Sequence, residues 1–391
     1  MVFDIILYIL HITFFLTMDT QDYMDFDDDY SDTEESDEAI DDFEHLAELV
    51  AFPRRAKIIR KRPDHFKVWR DDEFLNRFRL NKDTVKFILR IIESKIVSQT
   101  SRNNAVTPSQ KLLMTLRYYA TGSFIATCAD FAGIHKTTGG KIIIEVSKAL
   151  AGLRPDFINF PTTDEEIRQV KQDFFNIAKF PSCIGAIDCT HIKIRSPGGD
   201  DAEIFRNRKQ FFSMNVQTIC DSKLIIQNIV ARWPGSSHDA NIFRNSAIKQ
   251  RFDNREFKDC VLVADSGYPM QSYMITPMLN PITNVENTFN ESQIRTRNPV
   301  ERSYGVWKRR FPILSLGINV RNLDTVQAII VATAVLHNIA RRFGDDEPRV
   351  TEEQENLITL TIFEQPHAIN NQGRNQSIHR NRFLNYFNSL L

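Results

Sequence analysis

Between residues 72 and 154 the apolar positions recur at helical spacing. In DEFLNRFRLNKDTVKFILRIIESKIVSQ (72–99), Val85, Phe87, Ile88 and Ile91 fall on one stripe and Asn81 stands where an N-cap belongs. Thr107-Pro108, a capping side chain before a first-turn proline, predicts a second helix running through Leu112, Leu113 and Leu116 to Thr121-Gly122. Residues 124–131, a break at Gly133-Ile134 and a further helix to Leu150 make a helix-turn-helix candidate, whose second member offers Lys136, Thr137, Thr138 and Lys141 to DNA. An ordinary helical bundle shows the same pattern. Gly139-Gly140 inside the second helix also costs about 1 kcal/mol per glycine relative to alanine, which weakens the assignment. Residues 155–161 read as a linker and 164–179 as an amphipathic helix.

From Cys183 the period changes. The run CIGAIDCTHIKIR (183–195) is β-favouring and carries one carboxylate, Asp188. A lone acid at a strand end most often caps a turn, but one inside a buried strand needs a metal, a base or a hydrogen-bond donor. A loop at 196–201 and two β-type runs, 211–220 and 224–231, joined at Asp221-Ser222-Lys223, predict an antiparallel meander. Residues 239–252 take a helical pattern, 260–264 form a fourth strand ending in Asp265, and Asn298-Pro299-Val300-Glu301 opens another helix with Pro299 near its first turn. The order is β-β-β-α-β-insert-α. It places acids on the first strand, at the helix after the third, at the end of the fourth, and on the last helix. Residues 323–342 form an apolar helix expected to pack on the sheet, with His337-Asn338 structural.

Composition changes this picture at the ends of the chain. Of 50 acids, 16 lie in residues 1–53, which contain no Lys or Arg, leaving 34 acids against 49 bases in the remainder; so basic a body favours a polyanion such as nucleic acid. Residues 1–53 read as an apolar opening (1–17), short for a membrane span and lacking the positive start of a signal peptide, followed by a disordered acidic tail. Met18 serves equally well as a start. The basic segment 54–71 (RRAKIIRKR at its head) suits nuclear import or phosphate contact, and 344–391 reads as a flexible C-terminal tail. Five scattered cysteines, with no CxxC pair, indicate neither a zinc site nor a disulfide framework.

Four segments in combination, GAIDCTH (185–191), PGSSHD with ANIF (234–243), ADSGYP (264–269) and NPVERSYGVWKRRF (298–311), resemble the PIF/Harbinger group of DDE transposases and the nucleases domesticated from it. The resemblance covers roughly residues 72–342. It implies an α/β fold: a ribonuclease H-like mixed sheet flanked by helices (155–343), preceded by a helical, helix-turn-helix-like domain (72–154). It also implies Asp188, Asp265 and Glu301 as the catalytic acids, with Asp239 a fourth metal ligand. Two Mg²⁺ or Mn²⁺ ions would serve, because hard cations prefer carboxylate oxygens and, about 3.5–4 Å apart, activate the attacking oxygen and stabilise the leaving one. In that scheme Asp188 lies between both ions, Asp265 on one, Glu301 on the other, and Asp239 supports the second.

The neighbouring residues have structural readings too. His238 either meets the scissile phosphate or positions Asp239, and His191, on the opposite strand face from Asp188, is packing. Arg302, Lys308, Arg309 and Arg310 suit phosphates or a solvated helix face; Lys308, seven residues from Glu301, shares its face and is the first choice among them. The expected activity is metal-dependent cleavage of DNA phosphodiesters in the nucleus, with the cytoplasm as a second compartment. The alternatives are an active transposase or a DNA-binding adaptor that keeps the fold without turnover. Reading His238-Asp239 as the pair of an HD phosphohydrolase ranks lower, because that superfamily is all-helical and these flanks are β-rich. The resemblance further implies DNA and a Myb/SANT-like DNA-binding protein as partners; no membrane is expected, and self-association stays open.

Overall fold

In the computed structural model of the chain, residues 62–98, 104–349, 352, 355 and 378–391 are described, all within one unit, Arg60–Leu391. The apolar opening, the acidic tail, the basic run up to Lys61 and residues 356–377 of the C-terminal tail lie outside the described residues.

The helical stripes fold as their caps direct. Helices α1 (Asp71–Phe78) and α2 (Lys82–Ile96) are parted by Arg79 in the left-handed conformation, φ 68°. Asn81 is the N-cap of α2, but its side chain makes no capping bond; its N–H donates to Asp345 at 3.0 Å. At the start of α3 (Pro108–Thr121), Thr107 and Gln110 satisfy each other's backbone N–H groups. Helices α4 (Ile125–Phe131) and α5 (Lys136–Ala151) flank Gly133, φ 65°. The helical glycine counted against α5 has a packing reason: a Cβ on Gly139 would meet Ala129 Cβ at 2.9 Å, so its absence lets the two helices close up.

The linker contains one helical turn, Arg154–Phe157, and α6 (Asp164–Ala178) starts at a Thr163–Glu166 capping box. The sheet follows, with strands β1 (Cys183–Lys193), β2 (Ser213–Cys220), β3 (Ile226–Pro234), β4 (Val261–Val263) and β5 (Met274–Ile275) in the order β3-β2-β1-β4-β5. The meander β1-β2-β3 is antiparallel, whereas β4 and β5 run parallel to β1. Central β1 is crowded: a Cβ on Gly185 would lie 2.5 Å from Ile219 and 2.9 Å from Leu262. Alternation along β1 sends Ala186 and Ile192 into one apolar cluster and Ile187 and Cys189 into the other, on the opposite face.

Between β3 and β4 the expected single helix is two, α7 (Asp239–Arg244) and α8 (Ala247–Asp253), because Ser246 caps a fresh start through its bond to Lys249 N. The insert after β4 supplies the short strand β5, too brief for alternation to announce. The next helix, α9 (Asn284–Arg310), corrects the expectation that it opens at Asn298. A Thr283–Glu286 capping box starts it, and Pro299 lies inside, where it removes one backbone hydrogen bond. Helix α10 (Leu323–Phe343) packs on α5 and β3, with His337 donating to Leu224 O and Asn338 bonded to both backbone groups of Ile226. One apolar cluster runs from Phe74 through Leu150 into the sheet at Val216 and Val263 and on to α10. The tail expectation is corrected at its end: residues Ile378–Asn388 form α11, whose Phe383 and Phe387 are buried against Phe180 and Phe289.

Candidate active site

The register of β1 and β4 assembles the first pair of acids. Ala186 lies opposite Val263 in parallel pairing, so two residues further along Asp188, still within β1, and Asp265, just past β4, stand side by side, both buried. Asp265 Oδ1 accepts from Gly267 N at 3.0 Å. Asp239 comes from the next layer as the first residue of α7, where Asn215 on β2 donates to its Oδ1 at 2.9 Å and to Ser237 O at 2.8 Å. Helix α9 crosses the other face of β1: Tyr304 donates to Asp188 O at 2.7 Å and accepts from Thr218, and Gln293 donates to Ala264 O and Ile275 O.

The acids feel one another. Burial, then the Asp265 carboxylate, raise the Asp188 carboxyl to about 8 against the pull of Arg297, with Asp239 adding to the rise. Burial and Asp265 also push Asp239 upward, against the Asn215 hydrogen bond. Glu301 joins through Arg297, whose guanidinium donates to Asp188 Oδ2 at 3.1 Å and to Glu301 Oε1 at 2.5 Å. Arg297 falls one residue before the helix start that Asn298-Pro299 suggests, and so outside the expected helix. The available signal was its spacing, four residues before Glu301 and hence on the same helical face.

The structure therefore brings Asp188, Asp239 and Asp265 into one electrostatic group and links Glu301 to it. Hard oxygen donors, crowded and desolvated, suit a divalent cation. Their present spacing does not close round one: among the described residues no three His, Cys, Asp or Glu side chains stand close enough to hold a metal ion, and Arg297 lies between Asp188 and Glu301.

The expected phosphate contacts divide. Lys136 and Lys141 are exposed on α5, and Arg302 is exposed on α9. His238 is exposed but its Nδ1 accepts from Arg208 at 3.0 Å. Lys308 is corrected. It is 0% exposed and donates to Thr190 Oγ1 at 2.8 Å, and burial drags its ammonium down to about 7, so it ties α9 to β1 instead of facing a ligand at the surface. Arg310 is likewise buried, bonded to carbonyls, and Arg309 pairs with Glu355. His191 bonds Ser213 Oγ at 3.0 Å and is packing, as expected.

Residues 187–338 match the family described as DDE superfamily endonuclease. The chain is 28% identical to the rat protein named "Putative nuclease HARBI1" over 71% of its own length and 79% of that protein's. It is 24% identical to the Xenopus laevis protein of the same name over 69% and 78% of the two chains. It is 22% identical to the Arabidopsis thaliana protein named "Protein ALP1-like" over 68% and 70%. No solved structure matches the chain. The strand carrying Asp188, the helix headed by Asp239, Asp265 and Glu301 all fall inside the matched segment: this chain carries a DDE superfamily endonuclease domain and is homologous, at modest identity over most of its length, to the HARBI1 and ALP1 proteins.

Proposed function

We propose that this protein is a metal-dependent DNA endonuclease derived from a Harbinger-type DDE transposase. The observation that carries the reading is the gathering of Asp188 from the middle of β1, Asp265 from just past the parallel strand β4 and Asp239 from the head of a helix, with Glu301 linked across from α9. Asp188, Asp265 and Glu301, with Asp239, would hold two Mg²⁺ or Mn²⁺ ions, which when bound activate a water or hydroxyl nucleophile and offset charge on the leaving oxygen. The chain's own share of the work is to exclude bulk water around Asp188, to orient Asp239 through Asn215, and to fix the Asp188 backbone through Tyr304. The strand order and directions support a ribonuclease H-like core, and α4 and α5, with exposed Lys136 and Lys141, support a helix-turn-helix that meets DNA. Nuclear residence and a Myb/SANT-like partner complete the proposal.

The test is nicking of supercoiled plasmid with Mg²⁺ or Mn²⁺, wild type against Asp188→Ala. Cleavage by wild type and its loss in the variant are expected. A DNA-binding adaptor without turnover is the second reading, favoured by the Arg297 bridge that leaves the acids unable to close round an ion. It prevails if wild type binds DNA but cuts none with either ion. An HD hydrolase finds little support, since the His238 ring nitrogen is engaged by Arg208.

A further inference from the structure

Helix α9 puts Arg297 one turn ahead of Glu301, and the consequence is a cation already inside the acid cluster. The guanidinium is 8% exposed and divides its two terminal nitrogens between Asp188 on the sheet and Glu301 on the helix, at 3.1 and 2.5 Å. Carboxylates that share one ion must each bring an oxygen to roughly 2.0–2.6 Å of it. With a planar guanidinium between them, Asp188 and Glu301 are held on separate nitrogens and cannot make that approach. Removing the guanidinium without a replacement would leave the buried Asp188 carboxylate without its partner and facing half-buried Glu301, which is costly. Where Asp188 is ionised, a cation beside it relieves the repulsion in either state, and the guanidinium and a divalent ion cannot occupy the same gap.

We propose that Arg297 is the internal counter-cation of the ion-free protein: it holds Asp188 and Glu301 together before loading, and a divalent ion binding between them must displace it. The inference rests on the metal reading above and assigns Arg297 a positioning role. The protein then trades stability of the ion-free state for weaker ion binding, and the arginine sets the ion concentration at which the site fills.

The experiment is Mn²⁺ binding to the full chain, followed by calorimetry and by loss of the free-Mn²⁺ paramagnetic resonance signal, with melting temperatures measured with and without the ion. For Arg297→Gln, the ion-free protein should melt lower than wild type while the Kd for Mn²⁺ falls by about fivefold or more, the size of an ordinary coupling between two ligands of one site. Arg297→Lys, which keeps the charge but not the fork, should shift both quantities the same way by a smaller factor, and it carries the test if the glutamine variant does not fold. Equal or weaker Mn²⁺ binding in the variants, with wild type binding normally, overturns the counter-cation alone. Absence of Mn²⁺ binding in wild type and variants alike overturns the metal reading with it.

Discussion

Two regions of this protein bury charge, and they do so in opposite ways. At the junction between the helical segment and the end of α10, Arg310 is 0% exposed and donates to the carbonyls of Arg79, Asp345 and Asp346, while Arg79 donates to Arg349 O. In the middle of β1, Asp188 is buried against Asp265 and Asp239, with the Arg297 guanidinium in partial compensation. In the first region backbone carbonyls accept from the terminal guanidinium nitrogens, although Arg79 and Arg310 lie near one another and their Nε atoms are buried without a partner among the described residues, and the result is a clamp between segments far apart in the sequence. In the second, like charges are collected and left under-compensated, an arrangement with no benefit to the fold that suits a ligand of opposite sign.

The largest effect expected is at the clamp. Arg310→Met leaves three carbonyls without their donor and should lower the unfolding free energy by about 3 kcal/mol, read from urea midpoints. A loss under about 1 kcal/mol would erase the contrast between the two regions.

Asp188→Asn should act in the other direction. The folded carboxyl titrates near 8 against 3.8 ordinarily, so the folded state binds the proton more tightly. Its contribution to stability is therefore full below about pH 4 and declines as pH rises towards 8. In ion-free buffer the asparagine variant should gain on wild type steadily between pH 4.5 and pH 8, and excess Mn²⁺ should restore wild type at pH 8. Parallel stability profiles for the two proteins would refute this.

The smallest effect sharpens the comparison at a site between the two regions. Lys308 is buried with its ammonium depressed to about 7 from 10.5, so its burial penalty is complete below pH 7 and fades as pH rises towards 10.5. Lys308→Met should compare more favourably with wild type at pH 6.5 than at pH 9.5. The absence of any difference between the two pH values would mean that the bonds to Thr190 and His191 O keep the ammonium charged throughout.

Much of the architecture was legible because it is written in short-range chemistry. The Thr107-Pro108 start, the turn at Gly133 and the Asp221-Ser222-Lys223 hairpin each depend on a few adjacent residues, and each lies where the pattern put it. The misreadings share a cause. Pro299 reads as a helix start, although Thr283 and Glu286 outweigh it and the helix simply tolerates a proline; the aromatic residues of α11 read as tail because their partners, Phe180 and Phe289, lie far away in the sequence.

Sequence alone determined that Asp188 sits in a β-strand, that Asp239 heads a helix and that Asp265 follows a short strand, since alternation and capping are local properties of the backbone. Only the tertiary structure decided that parallel pairing of β1 with β4 sets two of those acids side by side, that Arg297 reaches between Asp188 and Glu301, and that Lys308 is withdrawn from the surface. Strand register and helix docking are fixed by the burial of whole faces, and a carboxylate carries no mark of which charge will stand opposite it until those faces meet.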